Sequence, residues 1–362
     1  MLRNNRLDSN TLVPKTSRKP GPEGESALNR RATINDIARL ARVSKKTVSR
    51  VINRAPFVKE ETRRRVDEVM NDLGYVPDPQ ARGLALRRSF LIGLVYDNPN
   101  AQFVVNAQQG VLDGLRGTGF ELVVHPGNRG DPNFLSEVAG FVDRQKLYGV
   151  VLLPPVSEMD GLIDLLIQRG CKYVRVASAK IDDGEHLVMS NDREVTAEAA
   201  KHLAALGHRR IGIIAGPKGF RSREERLGGF VEGLKTCGIE LPSDLRFDGA
   251  YTFESGVAAA EALLSRKPPP TAIFASNDEM AAGVYQVARQ MGLSVPEDIS
   301  IIGFDDTPVS SRLWPPLTTV RWPIRDMGRA AARKLLGSDE PMELTLAAHL
   351  VKRESSSPPR KR

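Results

Sequence analysis

The sequence predicts a small all-α head joined to an α/β body built on parallel sheets. Three observations predict it. Residues 33–74 carry three short amphipathic helical patterns, with a tight turn after the first. From Phe90 onward, short apolar runs alternate with helical stretches. The charge changes sign between the two regions: residues 1–31 carry +4, residues 32–88 carry +6, residues 89–351 carry −6 and residues 352–362 carry +4. A basic front on an acidic body suits a small module that meets a polyanion while the rest avoids it. A solubilising surface bias is the plainer alternative. A chain of 362 residues has material for two or three domains.

The head can be read residue by residue. Thr33 and Asp36 stand at N-cap and N3 spacing, Asp taking the place that Glu has in a capping box. Ile34, Ile37, Ala38 and Ala41 then share one helical face. Arg42 and Val43 make the turn, and Ser44 caps a second helix, KKTVSRVIN, whose Val48, Val51 and Ile52 face inward. Lys45, Lys46, Thr47, Ser49 and Arg50 are left facing out. A third helix is predicted from Lys59 to Leu73, with Thr62, Val66, Val69, Met70 and Leu73 as its stripe and Gly74 as its stop. Residues 32–77 therefore read as a helix-turn-helix head. A helical hairpin used for protein contacts is the alternative.

The string ATINDIARLARVSKKTVSRVIN, followed by VKEETRRRV and LGYVPD, resembles the DNA-binding head of the LacI/GalR family of bacterial transcriptional regulators. The resemblance implies that the second helix lies in the major groove and brings Lys45, Lys46 and Arg50 to base edges. Arg can grip guanine O6 and N7 with two hydrogen bonds, and Lys offers a point charge to the same acceptors. Thr47 and Ser49 would bond phosphate or pack the helix. Two features depart from the family pattern. Arg42 stands where the turn usually has Gly and has to take a left-handed conformation, at roughly 1 kcal/mol. The Lys45–Lys46 pair is more cationic than usual, so a relative's operator preference does not carry over.

Residues 78–89, DPQARGLALRRS, follow the head. Asp78 is a good N-cap and Pro79 a good first helical residue. Two turns containing Gly83 are nevertheless marginal in water. The resemblance makes this segment a hinge helix and gives Leu84 the role of an apolar wedge in the minor groove, paired across two subunits. An ordinary linker with one apolar residue is the alternative. Residues 1–31 read as a disordered basic extension. Residues 352–362 form a basic tail whose end, RESSSPPRKR, reads as a frayed terminus.

In the body, strands are predicted at LIGLVY from residue 91, ELVVH from 121, GVVLL from 149, YVRVA from 173, RIGIIA from 210, TAIFAS from 271 and SIIGF from 300. Helical stretches between them include 104–117, 135–147, 194–206, 223–237, 254–265 and 279–291. Strands that are apolar throughout and alternate with helices imply parallel sheets covered on both faces. The pattern restarts near Arg210, so two similar lobes with a cleft between them are expected. SNDREVTAEAAKHLAALGHRRIGIIAGP, YTFESG, PPPTAIFASNDEMAAG, VPEDISIIGFDDTP and PPLTTVRWP extend the resemblance over nearly the whole chain. It implies that residues 90–351 form a two-lobed, periplasmic-binding-protein-like core, crossed three times by the chain, that binds an effector and dimerises.

Ligands of open α/β sheets bind beyond the carboxyl ends of the strands. That rule selects Asp97–Asn98, Asn277–Asp278 and Asp305–Asp306, whose amides and carboxylates suit a polyol. The family motif narrows these to Asn277 and Asp305 and adds Arg226, Ser222, Phe103 and Tyr251. Capping or turn formation better suits Asp278 and Asp306, and Phe103 can equally be core. Sugar-responsive relatives often place Asp just after the strand equivalent to YVRV; here Ala177 stands there, followed by Ser178. That loss weakens any specific sugar, leaving a pentose, hexose or oligosaccharide as the leading class and a nucleoside or purine behind it.

Other classes fit poorly. His125, His186, His202, His208 and His349 show no metal-ligand spacing, and Cys171 and Cys237 form no CxxC pair. No phosphate-cradling glycine loop follows the first strand. No catalytic residue, metal or cofactor is therefore expected. No apolar run approaches the roughly 18 residues of a membrane span, and the first residues lack a signal peptide's apolar core. A solute-binding protein without DNA function would need export and gives residues 32–88 no purpose. The sequence is read as a cytoplasmic, homodimeric repressor of a pseudo-palindromic DNA operator, controlled by a small ligand, foremost a sugar.

Overall fold

The computed structural model describes residues 32–52, 55, 57–75, 89–337 and 345–360. The extension 1–31 and the hinge segment apart from Ser89, Leu84 included, lie outside the described residues. The chain divides into two compact units, residues 1–78 and 79–362.

The first unit holds α1 (Ile34–Leu40), α2 (Lys45–Ile52) and α3 (Glu60–Asp72). The Asp36 carboxylate accepts from the Thr33 amide at 3.0 Å and from its hydroxyl at 2.7 Å, which closes the start of α1. The Thr47 amide donates to Ser44 Oγ at 3.1 Å and opens α2. Between them Arg42 takes φ +52, the left-handed conformation that glycine would take more cheaply. Ile37, Ala38, Ala41, Val48, Val51 and Val66 form the core, with Ile52, Val69 and Met70 packed at its edge. Leu73 departs from the expected stripe and is exposed, because α3 has ended and Gly74 at φ +57 turns the chain away.

The second unit has two sheets. The first is ordered β2 (Glu121–Pro126), β1 (Leu91–Tyr96), β3 (Gly149–Leu152), β4 (Lys172–Ala177), β5 (Leu187–Ser190) and β11 (Thr345–Leu346). The second is ordered β7 (Arg246–Asp248), β6 (Ile211–Ala215), β8 (Ala272–Ala275), β9 (Ser300–Asp305), β10 (Thr318–Arg321) and β12 (His349–Val351). All pairings are parallel except β10 with β12. In the first lobe α4 (Ala101–Leu115) packs with α12 (Ile324–Leu336), and α5 (Phe134–Gln145) with α6 (Asp160–Gln168). In the second, α7 (Asp192–Ala205) packs with α8 (Arg221–Thr236), and α9 (Phe253–Leu264) with α10 (Asp278–Gln290), while the short α11 (Pro308–Arg312) leans on α10.

The chain crosses between lobes after β5, after β10 and between β11 and β12. The second lobe thus begins with α7, ahead of the restart read near Arg210. Its short strands carried little signal. β10, for example, is TTVR: Thr318 and Thr319 are polar yet fully buried, and the Thr319 hydroxyl is satisfied by Asp278 Oδ1 at 2.6 Å.

The C-terminal tail is a correction. Through Arg360 it is docked rather than frayed, because its hydroxyls and backbone complete the edge of the second lobe. Ser355 is fully buried; its backbone carbonyl accepts from the Ile301 amide at 2.8 Å, and its Oγ accepts from the Thr318 amide at 2.8 Å. Ser356 Oγ lies 3.1 Å from His202 Nε2, and the Ser357 amide donates to Ser300 Oγ at 3.1 Å.

His208 is the buried anchor of this tail, with Nε2 2.9 Å from the Ser357 carbonyl oxygen and Nδ1 2.9 Å from Thr271 Oγ1. Burial lowers its pKa below the ordinary value, although the Ser357 carbonyl pulls the other way. The unfolded chain protonates this ring near pH 6.5 while the folded body keeps it neutral. Its contribution is present above that pH and drains away as pH falls below it. Acidification from about pH 7.5 to about 5.5 is expected to lower the melting temperature of the unmodified chain more than that of a His208→Asn variant. Parallel losses in the two proteins would contradict this.

Candidate functional site

The cleft between the lobes gathers side chains from both. Asn98, Asn100, Phe103, Pro154 and Ser178 come from the first lobe; Phe220, Ser222, Arg226, Tyr251, Asn277 and Asp305 come from the second; Trp322 lies on a crossing. All six residues predicted for a ligand site therefore line one cavity.

Arg226 is its centre. Carried by the first turns of α8 and buried, it donates from Nε to Asp192 Oδ2 at 2.8 Å and from Nη1 to the Ser276 carbonyl at 2.7 Å. Its guanidinium carbon lies 3.6 Å from the centre of the Phe304 ring and 5.5 Å from that of Trp322. Burial alone would lower its pKa, but Asp192, Tyr251 and Asp305 together outweigh that and raise it. Asp305 Oδ1 is 3.9 Å away, and burial pushes the Asp305 carboxyl well above the usual range in spite of Arg226. Arg226 and Asp192 offset one another, so the guanidinium in the cavity is already paired.

The aromatic faces are equally fixed. Phe103 stacks on Trp322 with ring centres 5.3 Å apart and planes 20° apart, so it serves the core and the cavity together. Tyr251 stands at φ +62 and meets Ser222 Oγ at 3.0 Å. It fits only because Gly216 is beside it: a Cβ there would lie 2.2 Å from the Tyr251 hydroxyl. Asn277 works twice, accepting from the Met280 amide at 2.9 Å to cap α10 and donating to the Tyr251 carbonyl at 2.8 Å. Asp278, expected to cap or to form a turn, does not cap α10, where Asn277 takes that place. Its buried carboxylate instead accepts from the Thr307 amide at 2.7 Å and pins the loop after β9. Burial pushes its pKa up to about 7 despite the donors from Thr319 and Thr307.

The lobes are closed on one another. Asn100 Nδ2 donates to Asp305 Oδ2 at 3.1 Å, and the Arg221 amide donates to Glu158 Oε2 at 2.9 Å. The cavity left is about 30 Å³, about one water's share of volume, against roughly 300–1,000 Å³ for a ligand pocket. A ligand must enter an opened cleft. Ser178, which follows the position of the missing carboxylate, is buried and its Oγ has no hydrogen-bond partner among the described residues.

Asp192, Trp322 and Asn100 escaped the sequence reading. Asp192 follows β5 and Trp322 follows β10, so the strand-end rule would have found both had those strands been recognised. Their geometry is tight: Trp322 Nε1 donates to Asp192 Oδ1 at 2.8 Å, and Ser190 Oγ bonds the same oxygen.

In the first unit Lys45, Lys46 and Arg50 are exposed along α2, while Thr47 and Ser49 are half-buried, Thr47 Oγ1 lying 2.9 Å from Ser44 Oγ. Among the described residues no helix is long and apolar enough to cross a membrane. Asp182, Asp183 and His186 bring ligand atoms within 4.8 Å of one another, but Asp182 already accepts from Arg175 and Tyr173.

A basic helix-turn-helix unit followed by a two-lobed receptor fold defines a ligand-responsive, DNA-binding regulator. Residues 33–78 match the model of bacterial regulatory proteins of the lacI family, and residues 200–356 match a periplasmic binding protein-like domain. The chain is 36% identical over 339 residues to the HTH-type transcriptional regulator CelR of Thermobifida fusca, spanning 90% of this chain and 98% of that protein. A structure of a CelR–cellobiose complex superposes with a TM-score of 0.66 at 33% identity, covering 90% of this chain and 100% of that one. The lac repressor dimer bound to operator and the anti-inducer ONPF gives 0.73 at 28% identity, covering 91% and 100%. The chain belongs to the lacI family of bacterial regulatory proteins, which are DNA-binding transcription regulators and not enzymes.

Asp192 is wholly buried, so removing its cation strands a charge in the interior. Arg226→Ala is expected to cost roughly 3–5 kcal/mol in urea unfolding, and adding Asp192→Asn should return much of it. A single-variant loss below about 1 kcal/mol would contradict the pairing.

Proposed function

We propose that this chain is a cytoplasmic repressor that binds a pseudo-palindromic operator as a homodimer and is released by a neutral sugar bound between its lobes. Lys45, Lys46 and Arg50 read bases, Thr47 and Ser49 meet phosphate or pack the helix, and Leu84 wedges the minor groove. Phe103, Ser222, Arg226, Tyr251, Asn277 and Asp305 hold the effector. The head spans residues 32–77, the hinge 78–89 and the effector-binding, dimerising body 90–351.

One observation carries the ligand class: among the described residues the one cation in the cavity lining is already paired with Asp192 and approached by Asp305. An anionic sugar acid or a phosphate would add charge that nothing there offsets. The amides, the Ser178 hydroxyl and the Asp305 carboxyl suit the hydroxyls of a neutral ring, and Phe103 and Trp322 supply an apolar face. The cellobiose in the CelR complex supports a carbohydrate.

Two measurements test this. In thermal-shift assays, neutral mono- and disaccharides are expected to stabilise the chain, by roughly 2.7 kcal/mol at 100 times the dissociation constant, while uronates, sugar phosphates and nucleosides do not. A response to nucleosides alone would contradict the sugar reading. Operator binding is expected to weaken steeply with salt and to be lost in Leu84→Asp. Unchanged affinity in that variant removes the wedge.

A further inference from the structure

The loop after β9 puts Asp305 into the cavity in an awkward backbone: Asp305 has φ +108 and Asp306 φ +53, two consecutive residues with Cβ atoms on the left-handed side. Such a conformation persists only when its surroundings over-determine it. Two arginines do so through Asp306. Arg321 Nε donates to Asp306 Oδ2 at 2.6 Å, and Arg353 Nη2 donates to Asp306 Oδ1 at 2.5 Å. Arg353 also donates from Nη1 to Ser310 Oγ at 3.0 Å and to the Leu317 carbonyl at 2.8 Å, so its fork spans both ends of the segment from 306 to 317. Burial would raise the Asp306 carboxyl, but the arginines outweigh it and hold it below the usual range.

Arg353 belongs to the docked C-terminal tail, whose backbone is also tied to β9 and β10 by contacts that do not involve its side chain, among them those of Ser355 and Ser357. Every guanidinium hydrogen bond of Arg353 is spent on the loop.

We propose that Arg353 is a positioning residue for the effector site, holding Asp306 so that the neighbouring Asp305 carboxyl stays in the cleft. This rests on the reading that Asp305 faces the effector. Lys cannot replace it, because one ammonium on a flexible stem cannot bridge Asp306, Ser310 and the Leu317 carbonyl together.

Hydrogen exchange on the full ligand-free chain tests this without any ligand. In Arg353→Ala, amide exchange across residues 303–311 is expected to rise at least about tenfold, with Arg353→Lys in between, while residues 272–275 of β8 keep their protection. Arg360→Ala, which breaks only the Asp298 contact at the tail's end, should leave 303–311 unchanged. Unchanged exchange in Arg353→Ala overturns the proposal, as does a rise spread evenly through β8 and β9, which would make the residue a general stabiliser. Cellobiose is the probe for the second arm: its affinity, read by thermal shift, should fall about tenfold in Arg353→Ala. If cellobiose fails to stabilise the unmodified chain, the choice of sugar fails, and the exchange data still decide the role of Arg353.

Discussion

The body depends on one buried carboxylate. Asp192 holds Arg226 with one oxygen and Trp322 and Ser190 with the other. It stands where the chain first crosses between lobes, and Trp322 stands where it crosses back. The third crossing is tied to the neighbouring residue, since the Ala348 amide donates to Asn191 Oδ1 at 2.7 Å. All three crossings are therefore fastened at the adjacent residues Asn191 and Asp192, and the cation that Asp192 holds, Arg226, lines the cleft. A ligand that draws on Arg226 acts on the hinge between the lobes without any longer path.

Closure of the cleft makes the two lobes interdependent. Asn100 to Asp305 and Glu158 to the Arg221 amide are links between lobes that exist only while the cleft is shut. A ligand larger than a water enters only when the cleft opens, so its binding is coupled to the lobe arrangement. Differential affinity of that kind is what shifts a conformational equilibrium. A coupling of about 1–3 kcal/mol, ordinary for regulators, corresponds to losing or gaining one or two such hydrogen bonds. The proposed repressor thus needs no large refolding event in its body.

Much of this was legible in the sequence, for physical reasons that differ from element to element. Thr33 with Asp36, Ser44 and Gly74 are local signals, and the three helices of the head follow from them. Continuous apolar runs such as LIGLVY and RIGIIA located the central strands because buried parallel strands must be apolar on both faces. β5, β10 and β12 failed that test: they are short, and β10 buries threonines whose hydroxyls are satisfied only by residues distant in the chain. Asp192 and Trp322 were hidden with them. The tail RESSSPPRKR looked like a solvated end because serine and arginine signal exposure on average, whereas Arg353, Ser355, Ser356, Ser357 and Arg360 each find a partner. No local pattern reveals that a serine at 355 will complete the hydrogen bonding of β9 and β10.

The most direct test measures operator affinity by fluorescence anisotropy with and without the neutral sugar that most stabilises the chain, and then measures sugar affinity with and without operator. Linkage predicts that both change by the same factor, about 5–150-fold. A sugar that stabilises the chain yet leaves operator affinity untouched would contradict the account.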